Sequence, residues 1–458
     1  MGKKHTKEQN ATLLVCLMTA FLSTFMGSAL NLSIPGMGEH FDVSATLVGW
    51  VVTAYMLAVA AMSVPMGKIA DTLGRRPLLV WGVFAFSVTG VLAAFSVNIA
   101  MMLAVRVAQG VAGSMIFSTN TAILISAFPP EERGSALGRL TASTYLGLSA
   151  GPVAGGILNH YLGWQSIFVT ASVVGFIAFG AALRYLPRAE EKTRGGSLDV
   201  PGMALFVLMI SLSLYGLTNL PQGPVSWAAL LAGLLCAFLF GRRELAIDQP
   251  VVQLRVFRHN KAYTYANLAA LLNYGANFAV GYLTSIYLQL ILGLSSQTAG
   301  LVLVAQPVFM AFLSPYAGRL SDRIAPYKLA SAGMALCAAS LLMFAFMGID
   351  GSLGLVFLAL IVGGVGFALF SSPNTNAVMA CVEPKDFGVA SSILATMRST
   401  GHSASMAVVT LIVGAYMGSA GLTEATPAQL ASTMHTAFGL FTALCVAGIG
   451  LSMRRSTL

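Results

Sequence analysis

Apolar runs long enough to cross a bilayer follow one another along almost the whole chain, and no other feature limits its folding as much. A hydrocarbon layer of about 30 Å takes roughly 20 helical residues. Runs of that order fall near 12–34, 46–66, 78–97, 99–125, 136–159 and 165–186, then near 200–220 and 224–241. Six more lie near 263–292, 296–316, 327–347, 353–377, 387–417 and 433–453. The composition agrees, with 57% hydrophobic and 9% charged residues where soluble proteins carry about 25% charged. The expectation is an all-α integral membrane protein with fourteen transmembrane helices. The run at 224–241 is short, and twelve spans remain open if the central pair does not cross.

The charges carry the topology. Net charge is +9, but the cations are spread over short loops and form no single basic surface, which argues against a nucleic-acid partner. Arg106 and Arg398 lie inside apolar runs, and every other Lys and Arg falls on one side when the loops are numbered alternately. The positive-inside rule makes that side cytoplasmic and puts both termini there, in a cytoplasmic membrane. Lys3, Lys4 and Lys7 precede a run longer than a signal-peptide core, so an uncleaved first helix is expected. The five cysteines are odd in number and sit in or beside apolar runs, which suits packing, with no disulfide framework or metal site. Trp50, Trp81, Trp164 and Trp227 fall near run ends, as interfacial anchors do.

Two charged, glycine-punctuated turns repeat. Gly67-Lys68-Ile69-Ala70-Asp71-Thr72-Leu73-Gly74-Arg75-Arg76 lies between the second and third runs, and Gly318-Arg319-Leu320-Ser321-Asp322-Arg323 lies 251 positions later (318 − 67) between two others. A second match, Gly110-Val111 with Ser118, Asn120 and Thr121, returns as Gly364-Val365 with Ser372, Asn374 and Thr375 at an offset of 254 (364 − 110). Two motifs at nearly one offset point to duplicated halves. Gly147, Gly151-Pro152 and Gly155-Gly156 cluster in the fifth run. Glycine lets backbones approach and proline removes a hydrogen bond, so this stretch is either a hinge or a tight packing seam.

Three stretches, Gly67 to Arg76, Arg106-Val107-Ala108-Gln109-Gly110 and the fifth-run glycine-proline series, make the chain resemble the major facilitator superfamily, and within it the fourteen-helix drug:proton antiporters. The likeness covers essentially the whole chain. It implies a major-facilitator-type fold with an N-terminal six-helix bundle (1–189), a linker with two extra helices (190–245) and a C-terminal six-helix bundle (246–458). It implies alternating access gated by the turn holding Gly67, Asp71, Gly74, Arg75 and Arg76, with Gly318 and Asp322 as the second copy. It also implies that Gly147, Gly151, Pro152, Gly155 and Gly156 serve exchange of substrate for protons, and that Arg106 serves coupling. The alternative for Lys68, Arg75 and Arg76 is a plain topology signal. Cation exporters of this type typically carry an acid in the first helix nine residues before a proline. Here Pro35 is present and Met26 takes the acid's place, which puts ordinary cation:proton antiport in doubt.

Ionisable residues within hydrocarbon are costly and mark function by default. The candidates are Arg106, Arg398 and His402. The last two share a helix face at i, i+4, and histidine changes charge near neutral pH where arginine does not. Structural arginines satisfied by carbonyls, and a packing histidine, are the competing explanations. None of the sixteen acids falls mid-run. Two fixed positives, one histidine and no acid favour an anionic, zwitterionic or neutral amphiphile over a quaternary amine. Asn31, Gln109, Asn120, Asn273, Asn277, Gln306, Asn374 and Asn376 are candidates for a polar substrate cavity, or for interhelical hydrogen bonds.

No phosphate-binding Gly-x-x-x-x-Gly-Lys-Ser/Thr loop is present, no catalytic signature is evident, and no cofactor is expected. The expectation is a secondary active transporter, monomeric in lipid, that exports amphiphilic small molecules against protons. A facilitator or importer of a small organic anion is the rival, and a ligand-sensing membrane receptor is the alternative of another class.

Overall fold

A computed structural model describes residues 6–43, 45–187, 198–219, 223–252, 254, 257, 260–349, 351–417 and 426–454. Among them the chain is helical throughout. The helices are α1 Lys7–Ala29, α2 Ile34–Phe41, α3 Ala45–Leu73, α4 Arg75–Ala94, α5 Ile99–Ala127, α6 Arg133–Leu162, α7 Gln165–Tyr185, α8 Val200–Thr218 and α9 Pro224–Ala246. They continue as α10 Lys261–Ile286, α11 Ser296–Leu303, α12 Ala305–Ser321, α13 Pro326–Ala345, α14 Leu353–Ala380, α15 Phe387–Met417 and α16 Pro427–Met453. Polar side chains at the interface start many of them. Thr6 and Gln9, and Thr426 and Gln429, form reciprocal capping boxes, while Asn98, Asn260 and Ser352 each accept the N–H three residues on. Each bond satisfies a first-turn donor that the helix itself leaves open.

Eleven of these segments are long and apolar enough to cross a membrane, with α11 and α12 counted as one. Both central helices, α8 and α9, are among them. Among the described residues α6, α10 and α15 are not counted, and each carries a polar load: Arg139 and a series of Ser and Thr in α6, Asn267, Asn273 and Asn277 in α10, and Arg398 and His402 in α15. The α10 asparagines are buried and Arg139, Arg398 and His402 are half-buried, with α6 packed on α1 and α12, α10 on α15 and α16, and α15 on α3, α5 and α10. Protein contacts there replace the lipid contacts that demand apolar side chains.

Two runs break where the sequence reading drew continuous helices. The first run ends as α1 at Ala29, turns through a 3₁₀ segment at Leu30–Ser33, and restarts as α2 with Pro35 in its first turn. Pro35 lacks the N–H that a continuous helix would pair with Asn31, so the restart sits where proline is tolerated. The tenth run breaks at Val304, between α11 and α12, just before Pro307. α10 ends in one π turn, Tyr287–Ile291. The glycine-proline stretch does not break α6, which runs continuously from Arg133 to Leu162.

Helices α1 and α3 to α7 pack among themselves, as do α10 and α12 to α16. The two groups meet along two seams, α6 against α12 and α3 against α15. α8 lies over the second seam, where Phe206, Ile210 and Leu214 join Ala60, Ala61, Val64 and Ile393 in one small core. The first seam has no such cover among the described helices.

Candidate functional site

The two charged turns meet at one end of the molecule and hold each other's half. Asp71, near the end of α3, accepts hydrogen bonds from the backbone N–H of Gly388 (3.0 Å) and Val389 (2.9 Å) in the first turn of α15. Asp322, which ends α12, accepts them from Gly134 (2.6 Å) and Ser135 (2.7 Å) in the first turn of α6. The duplication explains the exchange. Asp322 is Asp71 shifted by 251, and Gly388 and Val389 are Gly134 and Ser135 shifted by 254. Each carboxylate sits where open N–H donors and the helix dipole favour an anion.

Glycines let the latched helices touch. A Cβ at Gly67 would collide with Gly388 and Ser392, and one at Gly318 with Gly134 and Gly138. Gly74 takes φ of 108° to turn the chain from α3 into α4, a conformation side chains rarely adopt.

The copies differ in their cations. Arg75 bonds Asp71 (Nε 2.9 Å, Nη2 2.8 Å), and donates to Ser126 Oγ (3.0 Å) and to the carbonyl of Pro384 (2.5 Å) across the seam. Asp322 has Pro326 where Arg75 would recur. Arg76 serves its own half, donating to the carbonyls of Leu183 and Leu186 at the end of α7.

Burial raises the Asp322 carboxyl above the usual carboxylate range, the two N–H bonds oppose the rise, and Glu132 and Glu131 add to it. An unlatched Asp322 returns to water and to its ordinary value. The proton is therefore held more tightly in the latched state. Its contribution to the latch is full below the ordinary carboxylate pKa and is lost as pH rises through the raised one. Between about pH 7 and about pH 4, acidification is expected to tighten the α6–α12 end. A spin-label distance across that end checks this, and Asp322→Asn is expected to flatten the response.

The fifth-run glycines make contacts within one bundle. Cβ atoms at Gly147, Gly151 and Gly155 would strike Thr24, Ser28 and Ala29 of α1. Side-chain hydroxyls stitch the same seam, from Thr24 to the Thr144 carbonyl (2.9 Å) and from Ser143 to the Leu17 carbonyl (2.7 Å). Gly156 is half-buried on the same helix. Pro152 lies in the unbroken α6, and its side chain is outside the described set.

Arg106 is fully buried. Its Nε donates to the Val51 carbonyl (2.8 Å) and its Nη1 to Gln109 Oε1 (2.5 Å), and the guanidinium lies 4.4 Å above the Tyr55 ring. Gln109 spends its own N–H on the Phe86 carbonyl (3.3 Å). Both residues are thus enclosed in the N-terminal bundle, away from the seam.

Between the bundles lies a cavity of about 70 Å³. Ser23 of α1, Asn120 and Thr121 of α5, Thr141 and Thr144 of α6, Ser371 and Thr375 of α14, and Ser391 and Arg398 of α15 supply its polar wall. Arg398 lies 4.9 Å above the Tyr274 ring, and His402, one turn on, stacks on Phe278 at 4.1 Å.

Of the eight amides expected in a cavity, Asn120 is in this wall, and its Nδ2 donates to the Cys16 carbonyl of α1 (3.1 Å). Asn374 repeats that bond in the other half, to the Ala266 carbonyl (3.3 Å). Asn277 donates to Asn273 (2.9 Å to its carbonyl), and Asn376 to Ser321 Oγ (3.3 Å). Gln306 packs beside Gly363 and Gly364. The Asn31 side chain is outside the described set.

Sequence reasoning passed over the aromatics. Tyr145 of α6, Phe367 of α14 and Tyr274 of α10 form an edge-to-face series next to the cavity, with centroids 6.2 Å and 5.3 Å apart. The available signal was the series Thr141, Thr144, Tyr145 at helical spacing in an otherwise apolar run.

The Major Facilitator Superfamily model matches residues 16–401 and 266–456. The riboflavin transporter RibZ of Clostridioides difficile (strain 630) is 32% identical over 393 residues, 86% of each chain. The multidrug resistance protein Stp of Mycobacterium tuberculosis (strain CDC 1551 / Oshkosh) is 28% identical over 420 residues, 89% of this chain and 77% of that one. The crystal structure of the human organic anion transporter MFSD10 (TETRAN) superposes with a TM-score of 0.70 at 15% identity, covering 97% of this chain and 99% of that one, a likeness of fold. The chain belongs to the Major Facilitator Superfamily of transporters, on its drug:proton antiporter-like branch.

Proposed function

We propose that the protein is a secondary active transporter of amphiphilic small molecules that exports them by alternating access, coupled to protons. The observation that carries this reading is the reciprocal latch. Two carboxylates, each holding the opposite half by a helix N-terminus, give one end of the molecule a closed state that depends on few bonds. Release of both frees the α3–α15 and α6–α12 seams to part. In this reading the latched end and both chain ends face the cytoplasm, as the basic loops favour. The bundles 1–189 and 246–458 rock as monomer halves, with 190–245 between them. The structure described is then closed to the cytoplasm. Arg106 and His402 are the coupling candidates, and Arg398 belongs to the substrate wall.

The substrate is best sought among the compounds of the relatives, with riboflavin first and antibiotic-type amphiphiles next. Reconstituted protein under an imposed pH gradient is expected to accumulate substrate against its gradient, a protonophore to abolish the accumulation, and Arg106→Ala to remove it. A second reading has its own support: none of the sixteen acids falls in the middle of an apolar run of the sequence, which suits a facilitator or an importer of a small organic anion. Equilibration of substrate regardless of the pH gradient would establish that reading and end the first.

A further inference from the structure

The cavity wall has an uneven supply of hydrogen-bond donors. Ser23, Thr144, Thr375 and Ser391 each donate their hydroxyl proton to a backbone carbonyl (2.9, 3.1, 2.9 and 3.5 Å), so they turn lone pairs towards the cavity. Asn120 donates to Cys16, and its Oδ1 is buried without a partner. The hydroxyls of Thr121 and Thr141 have no partner among the described residues and can donate or accept, so the wall offers more acceptors than donors. Its cationic donor is Arg398, which makes no hydrogen bond or ion pair among the described residues and whose Nε is buried unpartnered. One face of its guanidinium rests on Tyr274.

Arginines enclosed in protein are ordinarily held by acceptors; Arg106 has two and keeps only its Nη2 orphaned, whereas Arg398 has none among the described residues. Arg398 and Asn120 Oδ1, one from each bundle, are left with complementary needs. A solute that meets both must bring an acceptor for Arg398 next to an N–H for Asn120. That pairing is the edge of a lactam or cyclic imide. A carboxylate offers acceptors only, and a quaternary cation offers neither and is repelled by the arginine. The series Tyr145, Phe367 and Tyr274 crosses from one bundle to the other beside this point and suits a flat ring system.

Resting on the transporter reading above, we propose that Arg398 and Asn120 form a specificity-determining pair for planar aromatic solutes with a lactam or imide edge. The pair bridges the two bundles, so such a solute ties them together across the cavity. At about 70 Å³ the space holds only about two waters, and a ring system enters as the bundles part.

The test uses two fluorescent alloxazine tricycles blocked at N1, so that the imide N–H is the one N–H left: 1-methylalloxazine, which has it, and 1,3-dimethylalloxazine, which lacks it. Binding is read by fluorescence anisotropy on the purified full-length protein in nanodiscs. The proposal expects 1,3-dimethylalloxazine to bind about tenfold or more weakly than 1-methylalloxazine, because a buried acceptor is left unpaired. Asn120→Leu is expected to bind the two alike, Arg398→Gln to weaken both about tenfold or more, and Arg398→Lys to recover part of the loss. Ethidium is expected not to displace 1-methylalloxazine.

No 1-methylalloxazine binding, equal affinity for the two probes on the unaltered protein, or displacement by ethidium overturns the proposal. The two-probe comparison on the unaltered protein decides the matter even if a variant fails to fold. Binding without movement across proteoliposomes would sink the transporter reading and leave the pair standing. Gradient-driven flux that ignores Arg398→Gln would do the reverse.

Discussion

Asp71→Asn is expected to open the latched end and to stop accumulative transport. The asparagine keeps one acceptor but loses the charge that holds Gly388, Val389 and Arg75 together. Side chains at this pair are only 12% and 9% exposed, so solvent compensates little. Hydrogen bonds to charged groups contribute about 1.5–3 kcal/mol each, and Asn retains part of one. The net shift is therefore about 2–3 kcal/mol, roughly 30- to 150-fold in the ratio of closed to open. Ser392, buried under Gly67 in the latched state, reports it. With the five native cysteines replaced, Ser392→Cys is expected to resist a membrane-impermeant maleimide and to become reactive when Asp71→Asn is added. Asp322→Asn by itself is expected to leave the latched end closed, because no arginine is stranded by it and the neutral side chain keeps an acceptor for the N–H groups of Gly134 and Ser135.

Gly318→Val is expected to exclude the latched state altogether. The added Cβ would lie 2.7 Å from Gly138 Cα and 2.8 Å from Gly138 N, with the Gly134 carbonyl nearer still. These are backbone atoms on the opposite bundle, and no side chain is there to rotate away. Overpacking a formed interface costs about 1–3 kcal/mol or more, and here separation of the bundles relieves it. The variant is expected to fold with nearly unchanged thermal stability and to transport nothing, since the cycle must pass through the closed end. Gly155→Val makes the contrast. Its clash is with Ala29 Cα and Cβ inside one bundle, so it is expected to lower thermal stability by several degrees in a domain of this kind. If both variants only melt early, the seam at Gly318 is ordinary packing and gates nothing.

The sequence revealed the helices and the duplication because both are local properties. Apolar length declares a span, and a repeated turn at one offset declares a repeated half. Breaks at Pro35 and Val304 were also within reach, since proline acts on its own helix. The latch was half legible. The repeated turn pointed to Asp71 and Asp322, but the N–H groups they hold belong to helices more than 180 positions away, and only docking of the bundles identifies them.

The amides were harder. An asparagine in an apolar run pins two helices or lines a cavity with equal ease, and helical periodicity gives no outward direction in a helix surrounded by protein. Asn374 became an interhelical pin and Gln109 a partner of Arg106, while Asn120 does both jobs at once. Tyr145, Tyr274 and Phe367 were hidden by their commonness, because aromatic side chains in membrane helices are usually packing.

The most direct test of the alternating-access account is a pair of spin-label distances measured on the same preparations. Leu73→Cys with Ile324→Cys spans the latched end, and Val97→Cys with Phe346→Cys spans the opposite end, all at exposed positions. The account predicts that Asp71→Asn with Asp322→Asn lengthens the first distance and shortens the second. Movement of one end without the other, or no movement at either, would contradict it.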